Sequence, residues 1–216
     1  MLGQFLEVAL VTDDTGDAWQ QLQGLGFEPA PTGDIWPHPY GVVACEGIAI
    51  GLHARGDEPL SLIFVRPDVA GLHRELTARG VRVEHARLGS DVFNELALRE
   101  PGGMLLRVLE ARTYSPLADL PDRTRLGRFD AISLPCRNLE AATAFWEALG
   151  HATAATDTPL EGIRVPSTPV ACHARRQLAD PALLFRQPDA DFAHLVGNDP
   201  QALLQGNSEL ALLVMP

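Results

Sequence analysis

The sequence predicts an α+β fold assembled from tandem units of one strand, one helix and three further strands. Duplication is the first observation behind this. Phe5-Leu-Glu-Val-Ala-Leu-Val-Thr-Asp, with a helical run to Gly26, returns as Phe129-Asp-Ala-Ile-Ser-Leu-Pro-Cys-Arg, with a helical run to Gly150; both ends are displaced by 124 residues. A second set of echoes follows: His53-Ala-Arg in His173-Ala-Arg, Leu62–Asp68 in Leu183–Asp189, and Glu95-Leu-Ala-Leu in Glu209-Leu-Ala-Leu. A register that drifts only by short indels is the mark of a copied segment. Thirdly, each half divides again into two stretches that repeat the same order of apolar alternation and helical spacing.

Residues 5–11 alternate around Glu7 and are rich in β-formers, which predicts a strand. Asp13-Asp14-Thr15 supplies caps for a helix carrying Trp19, Leu22 and Leu25, stopped at Gly26. Residues 41–53 hold two short apolar runs divided by Glu46-Gly47, a hairpin signal. The second unit restarts at 60–65. Its helix follows Pro67-Asp68, carries Val69, Leu72 and Leu76, and stops at Gly80; strands are expected at 81–84, 93–99 and 104–110. Residues 113–127, with Pro116 and Pro121, read as a linker between an N-terminal domain (1–112) and a C-terminal one (128–216). The second half predicts a strand at 129–135, a helix at 138–149, and strands near 151–155, 162–166, 169–174 and 182–186. Its last unit is compressed. The pattern leaves open whether the terminal strand is the third or the fourth of that unit.

Composition excludes several functions. With 46% hydrophobic and 21% charged residues the chain has material for a core. Its net charge of −11 repels phosphate backbones and anionic lipid, so neither nucleic acid nor a membrane is expected as partner. Cys45, Cys136 and Cys172 are odd in number and widely spaced, which fits neither a disulfide framework nor a zinc knuckle. The first residues resemble no signal peptide, and no apolar run has the roughly twenty residues a bilayer span needs, so a cytoplasmic location is expected. Ser133 and Ser167 lack a Gly-x-Ser-x-Gly context, and no phosphate-binding glycine loop is present.

Four such units, paired two and two, resemble the vicinal oxygen chelate superfamily of glyoxalase I, bleomycin-resistance proteins and extradiol dioxygenases. The segments carrying the resemblance are Val8–Asp14 with the helix to Phe27, Asp68–Val81, and the closing Arg99-Glu-Pro-Gly-Gly-Met-Leu-Leu-Arg-Val-Leu-Glu110, similar to the family's turn before a final strand. The resemblance implies that paired units curl into two half-barrel sheets around a cavity, with helices outside. It also implies a divalent metal on His, Glu or Gln side chains of the first and last strands, acting as a Lewis acid. Those positions fall here on Glu7, Gly51, Ser61 and Arg107, and in the second half on Ala131, Ala171 and Ala182. A metal needs three or four converging donors; one carboxylate and a cation do not supply them, so no metal or other cofactor is expected.

What remains is a candidate ligand site in the N-terminal half, expected to enclose the larger cavity. Strand alternation puts Phe5, Glu7 and Ala9 on one face and Ala49, Gly51 and His53 on one face of the fourth strand. Arg107 is expected beside them, paired with Glu7 or holding an anionic ligand. The loop Asp34-Ile-Trp-Pro-His-Pro-Tyr40 offers Trp36, His38 and Tyr40 as rim, and Glu95 completes the set. Glu7 and His53 are the candidate catalytic residues. Three functions fit: metal-independent binding of a small polar or aromatic molecule; an enzyme of the same superfamily, a metal-dependent lyase or dioxygenase or a metal-free isomerase; and an interaction protein forming a homodimer through an open sheet edge.

Overall fold

The computed structural model describes residues 2–32, 36, 38–115, 117–190, 194–195 and 210–216. Among these residues, two mixed sheets and three helices form, and neither sheet closes into a barrel. The first sheet uses β1 (Gln4–Val11), β2 (Glu28–Ala30), β3 (Tyr40–Cys45), β4 (Ile48–His53), β5 (Leu60–Arg66), β6 (His85–Arg87), β7 (Glu95–Arg99) and β8 (Leu105–Glu110). Their order is β2-β3-β4-β1-β5-β8-β7-β6. Helices α1 (Thr15–Gly24) and α2 (Val69–Ala78) follow β1 and β5, so each unit is βαβββ. The two units join through their first strands, β1 against β5, antiparallel. Within each unit the first strand runs parallel to the last, β1 to β4 and β5 to β8.

The second sheet repeats this plan with β9 (Arg128–Cys136), α3 (Leu139–Ala148), β10 (Ala154–Ala155), β11 (Gly162–Val165), β12 (Val170–Ala174), β13 (Ala182–Arg186), β14 (His194–Leu195) and β15 (Ala211–Met215). Its order is β10-β11-β12-β9-β13-β15-β14. β15 runs parallel to β13, as β8 does to β5, so the terminal strand takes the fourth-strand place of its unit. The echo of Glu95 at Glu209 falls outside the described residues.

Each helix starts where the sequence places a cap. Asp14, Asp68 and Asn138 accept from the backbone N–H three residues on, at 2.9, 2.6 and 3.1 Å. Each run ends at a glycine with positive φ, Gly26, Gly80 and Gly150, a conformation that carries a Cβ penalty for other residues. One apolar core fills the helix-covered faces and runs from one half into the other, with Phe27 and Phe129 both edge-on to Phe185. The segment joining the halves packs down, Leu117 and Leu120 lying against Ala30, Val42, Ala44 and Ala49.

Two expectations of local structure need correction. The strand expected at 81–84 forms later, at His85–Arg87. A bulge between Phe5 and Glu7 in the β1–β5 ladder breaks the alternation there. Phe5 therefore turns to the helix-covered face, edge-on to Phe64 at 5.5 Å, while Leu6 joins Ala9, Ile63, Val65 and Leu109 on the other. Among the described residues, no helix is long and apolar enough to cross a membrane.

Candidate functional site

The face of the first sheet turned away from its helices gathers the residues singled out in the sequence. β1 and β4 are in register at Ala9 and Gly51, and both strands present their small residues here. Glu7 lies in the space they leave. A Cβ built on Gly51 would stand 2.6 Å from Glu7 Oε2, so only glycine at 51 lets the carboxylate sit where it does.

Glu7 and His53 are both 3% exposed, and Oε1 of Glu7 is 3.1 Å from His53 Nε2. His53 uses its other nitrogen as well: Nδ1 is 3.0 Å from Nε2 of the part-buried His38. Aromatic rings fix the buried imidazole between them. Tyr40 stacks flat on His53 at 5.3 Å with 1° between planes, and Trp36 meets it edge-on at 5.1 Å. Burial, then the nearby His53, Arg55 and Arg107, hold His38 below the ordinary imidazole value, so the outer ring is neutral near pH 7.

Arg107 pairs with Glu95, not with Glu7. Nη2 of Arg107 lies 2.9 Å from Glu95 Oε2, and the guanidinium carbon is 5.0 Å above the Trp36 ring. The ladder explains the choice. Arg107 sits opposite Ala97 on β7, and Glu95, two residues back, is its diagonal neighbour on the same face. Glu7 is meanwhile occupied by His53. All seven expected residues (Glu7, Trp36, His38, Tyr40, His53, Glu95 and Arg107) are thus linked by contacts into one cluster.

Two hollows lie among the described residues. The hollow bordered by Trp36, His38, His53, Ser61 and Arg107 measures about 40 Å³, whereas one of about 680 Å³ lies in the second half, beside Cys136, Arg137, Asn138, Arg175 and Arg176. Among the described residues, the Trp36 ring lies over Arg107 at the edge of the smaller hollow. Arg55, Asp57 and Glu58 also border the small hollow. The sequence reading did not select them; Arg55 follows His53 at the two-residue spacing that keeps a face, and that was the available signal.

The family's metal positions do not fit a divalent ion in this chain. Gly51 has no donor and no room for one, Ser61 is a poor ligand, and Arg107 is a cation engaged with Glu95. Among the described residues no group of three His, Cys, Asp or Glu side chains is placed to hold a metal.

In the second half, His173 occupies the place of His53 but is closed in. Its Nδ1 is 2.7 Å from Ser133 Oγ and its Nε2 3.0 Å from the Leu178 carbonyl. Ala131, Ala171, Ala182, Leu184 and Leu213 fill the surrounding face. The three cysteines are buried and unpaired; burial pushes the Cys45 and Cys136 thiols up to about 12 and about 11, which removes them as nucleophiles.

Comparison with models of known families gives no match, and sequence comparison with characterised proteins gives none either. Solved structures do match. A catechol 2,3-dioxygenase aligns with a TM-score of 0.58 at 15% identity, covering 98% of this chain and 87% of that one. The Mn(II)-bound glyoxalase from Novosphingobium aromaticivorans aligns at 0.55 and 14%, covering 98% and 81%. BphC, a halotolerant catechol dioxygenase, aligns at 0.56 and 12%, covering 100% and 87%. At these identities the likeness is one of fold. With units joined through their first strands in both halves, β1 to β5 and β9 to β13, this chain shares the fold of these catechol dioxygenases and this glyoxalase.

Proposed function

We propose that this chain binds a small polar or aromatic molecule at the cluster in its N-terminal half, and does so without a metal. The observation that carries this reading is Arg107. A position where the fold's enzymes would place a ligand holds a guanidinium instead, fixed on one side by Glu95 and covered on the other by the Trp36 ring. Such a group offers donors in a rigid fork to a carboxylate, phenolate or carbonyl oxygen. Trp36 over Arg107, His38 beside Trp36, and Tyr40 on the His53 ring supply flat surfaces in the same cluster. The hollow of about 40 Å³ has room for about one water, so a ligand takes the place of the Trp36 ring over Arg107.

The test is a thermal-shift screen of small aromatic carboxylates and phenols on protein dialysed against chelator, with tryptophan fluorescence as second readout. The expected result is stabilisation with a change in Trp36 emission, both lost in Arg107→Met. Stabilisation that appears only after a divalent metal is added back would count against this reading and for a metal-dependent enzyme.

A further inference from the structure

With Glu7 ionised and His53 neutral, the hydrogen-bond chain in the N-terminal site has a direction. A carboxylate only accepts, so Nε2 of His53 donates to Glu7 across 3.1 Å. The lone pair of a neutral His53 is then on Nδ1, and His38 Nε2 donates to it across 3.0 Å. His38 is thereby held in the tautomer whose lone pair is on Nδ1. Among the described residues that nitrogen has no protein partner, while the ring borders the hollow it shares with Arg107. A neutral imidazole with its tautomer set by a buried imidazole and carboxylate, next to a space the size of one water and facing a fixed cation, is the set of parts that hydrolysis needs.

We propose that His38 is a general base and that this site hydrolyses small aryl esters with water as nucleophile. The proposal rests on the binding reading above, since the ester must occupy the same site. His38 Nδ1 takes a proton from water as the water oxygen bonds to the acyl carbon. The carbonyl π pair moves onto its oxygen, which faces the Arg107 guanidinium. As the carbonyl re-forms, the bond from acyl carbon to aryl oxygen breaks, and the proton on His38 passes to the departing aryloxide. The products are a carboxylic acid and a phenol, with no redox partner required. His53 and Glu7 touch no substrate; they are positioning residues, and Glu7 stabilises the charge His38 gains. Among the described residues, the other charged and titratable groups around His38 and its hollow are Tyr40 of β3, Arg55, Asp57 and Glu58 beyond the end of β4, and Arg107 from β8.

The test is hydrolysis of p-nitrophenyl acetate by chelator-dialysed protein from pH 5 to 9. In His38→Gln the protein-dependent rate should fall by about 100-fold or more, the usual share of a general base. Glu7→Gln should lose at least about 10-fold, as removal of an orienting carboxylate does, and shift the rising limb of the pH profile to lower pH, because His38 then holds its proton less tightly. His73→Gln, on α2, should match the parent. Full activity in His38→Gln, or a parent rate no greater than that of the same concentration of free imidazole, overturns the proposal. Thermal shift with 4-nitrobenzoate separates the two readings: binding without His38-dependent hydrolysis removes only this inference, and no binding removes the binding reading too. Should the variants not fold, nitrogen-15 NMR of the parent's imidazoles decides alone. An unprotonated Nδ1 on His38 is expected, and a protonated one refutes the relay.

Discussion

Glu100→Gln should remove most of a pH-dependent loss of stability between pH 5 and 8. Glu100 begins the Glu-Pro-Gly-Gly turn before β8 and is 1% exposed. Its Oε2 accepts from Gly102 N–H at 2.7 Å, while Oε1 is buried with no partner. The turn is pressed against the other half: a Cβ on Gly102 would collide with the Pro135 carbonyl oxygen, which leaves the carboxyl little access to water. Burial pushes the carboxyl from the ordinary 4.5 up to about 7, against the pull of the Gly102 and Met104 N–H groups. The folded state therefore binds a proton more tightly than the unfolded chain. The stability tied to that proton is complete below pH 4.5 and is lost as pH rises through about 7. The gap between the two values, at about 1.4 kcal/mol for each pH unit, is worth about 3 kcal/mol. Gln keeps an acceptor for Gly102 N–H and carries no charge to bury. Urea unfolding at pH 5 should put parent and variant within about 1 kcal/mol, and at pH 8 the variant should be the more stable by about 3 kcal/mol, or roughly 6–12 °C in melting temperature. Equal pH dependence in the two proteins, or a variant less stable at pH 8, would refute the reasoning.

Three other outcomes are expected. Gly51→Ala should cost about 1–3 kcal/mol in chemical denaturation, because the new methyl meets the Glu7 carboxylate at 2.6 Å and drives it off His53. In double-mutant cycles, Arg107→Met should couple to Glu95→Gln by about 1 kcal/mol, since both side chains are only about a fifth exposed, and should be additive with Glu7→Gln; coupling to Glu7 instead would restore the pairing expected from sequence. His151, lowered to about 4 by burial, opposes protonation in the folded state, so stability should fall as pH drops from 6.5 towards 4, and this slope should flatten in His151→Leu; an unchanged slope would show that His151 does not cause it.

Much of the architecture was legible because it rests on local signals repeated in order. Asp14, Asp68 and Asn138 mark helix starts by their side-chain chemistry, and each helical run closes on a glycine in the place its neighbours demand. The face of β4 was legible too, since Ala49, Gly51 and His53 alternate cleanly with Ile48, Ile50 and Leu52, which enter the core. What failed needed information from a partner strand. A single bulge at the start of β1 reversed Phe5 and Leu6, and no residue there announces it. The Arg107–Glu95 pair depends on the β7–β8 register, which sets Ala97 opposite Arg107. The echo of Glu95-Leu-Ala-Leu near the C-terminus left the place of the terminal strand open, because short apolar strands carry little register of their own. Pairing with β13 put Ala211–Met215 in the fourth place.

The two histidines at equivalent positions show how one half carries a side-chain chain that leads outward while the other becomes packing. His53 and His173 both sit at the end region of a strand parallel to the first strand of their unit. In the first half Glu7 supplies an acceptor for the His53 ring, and Gly51 clears the volume it needs. His53 is thereby committed on Nε2, and its Nδ1 is left to act outward, through His38. In the second half alanine stands at 131 and 171, so the acceptor is gone and the volume is filled by methyl groups and by Leu184, Leu213 and Met215. His173 then satisfies itself locally, against Ser133 on one nitrogen and the Leu178 carbonyl on the other. A fully buried imidazole with both nitrogens spent inside the half has nothing to offer a ligand, and burial holds it neutral. The difference between the halves therefore turns on one carboxylate and the glycine that makes room for it, far more than on the histidine they share.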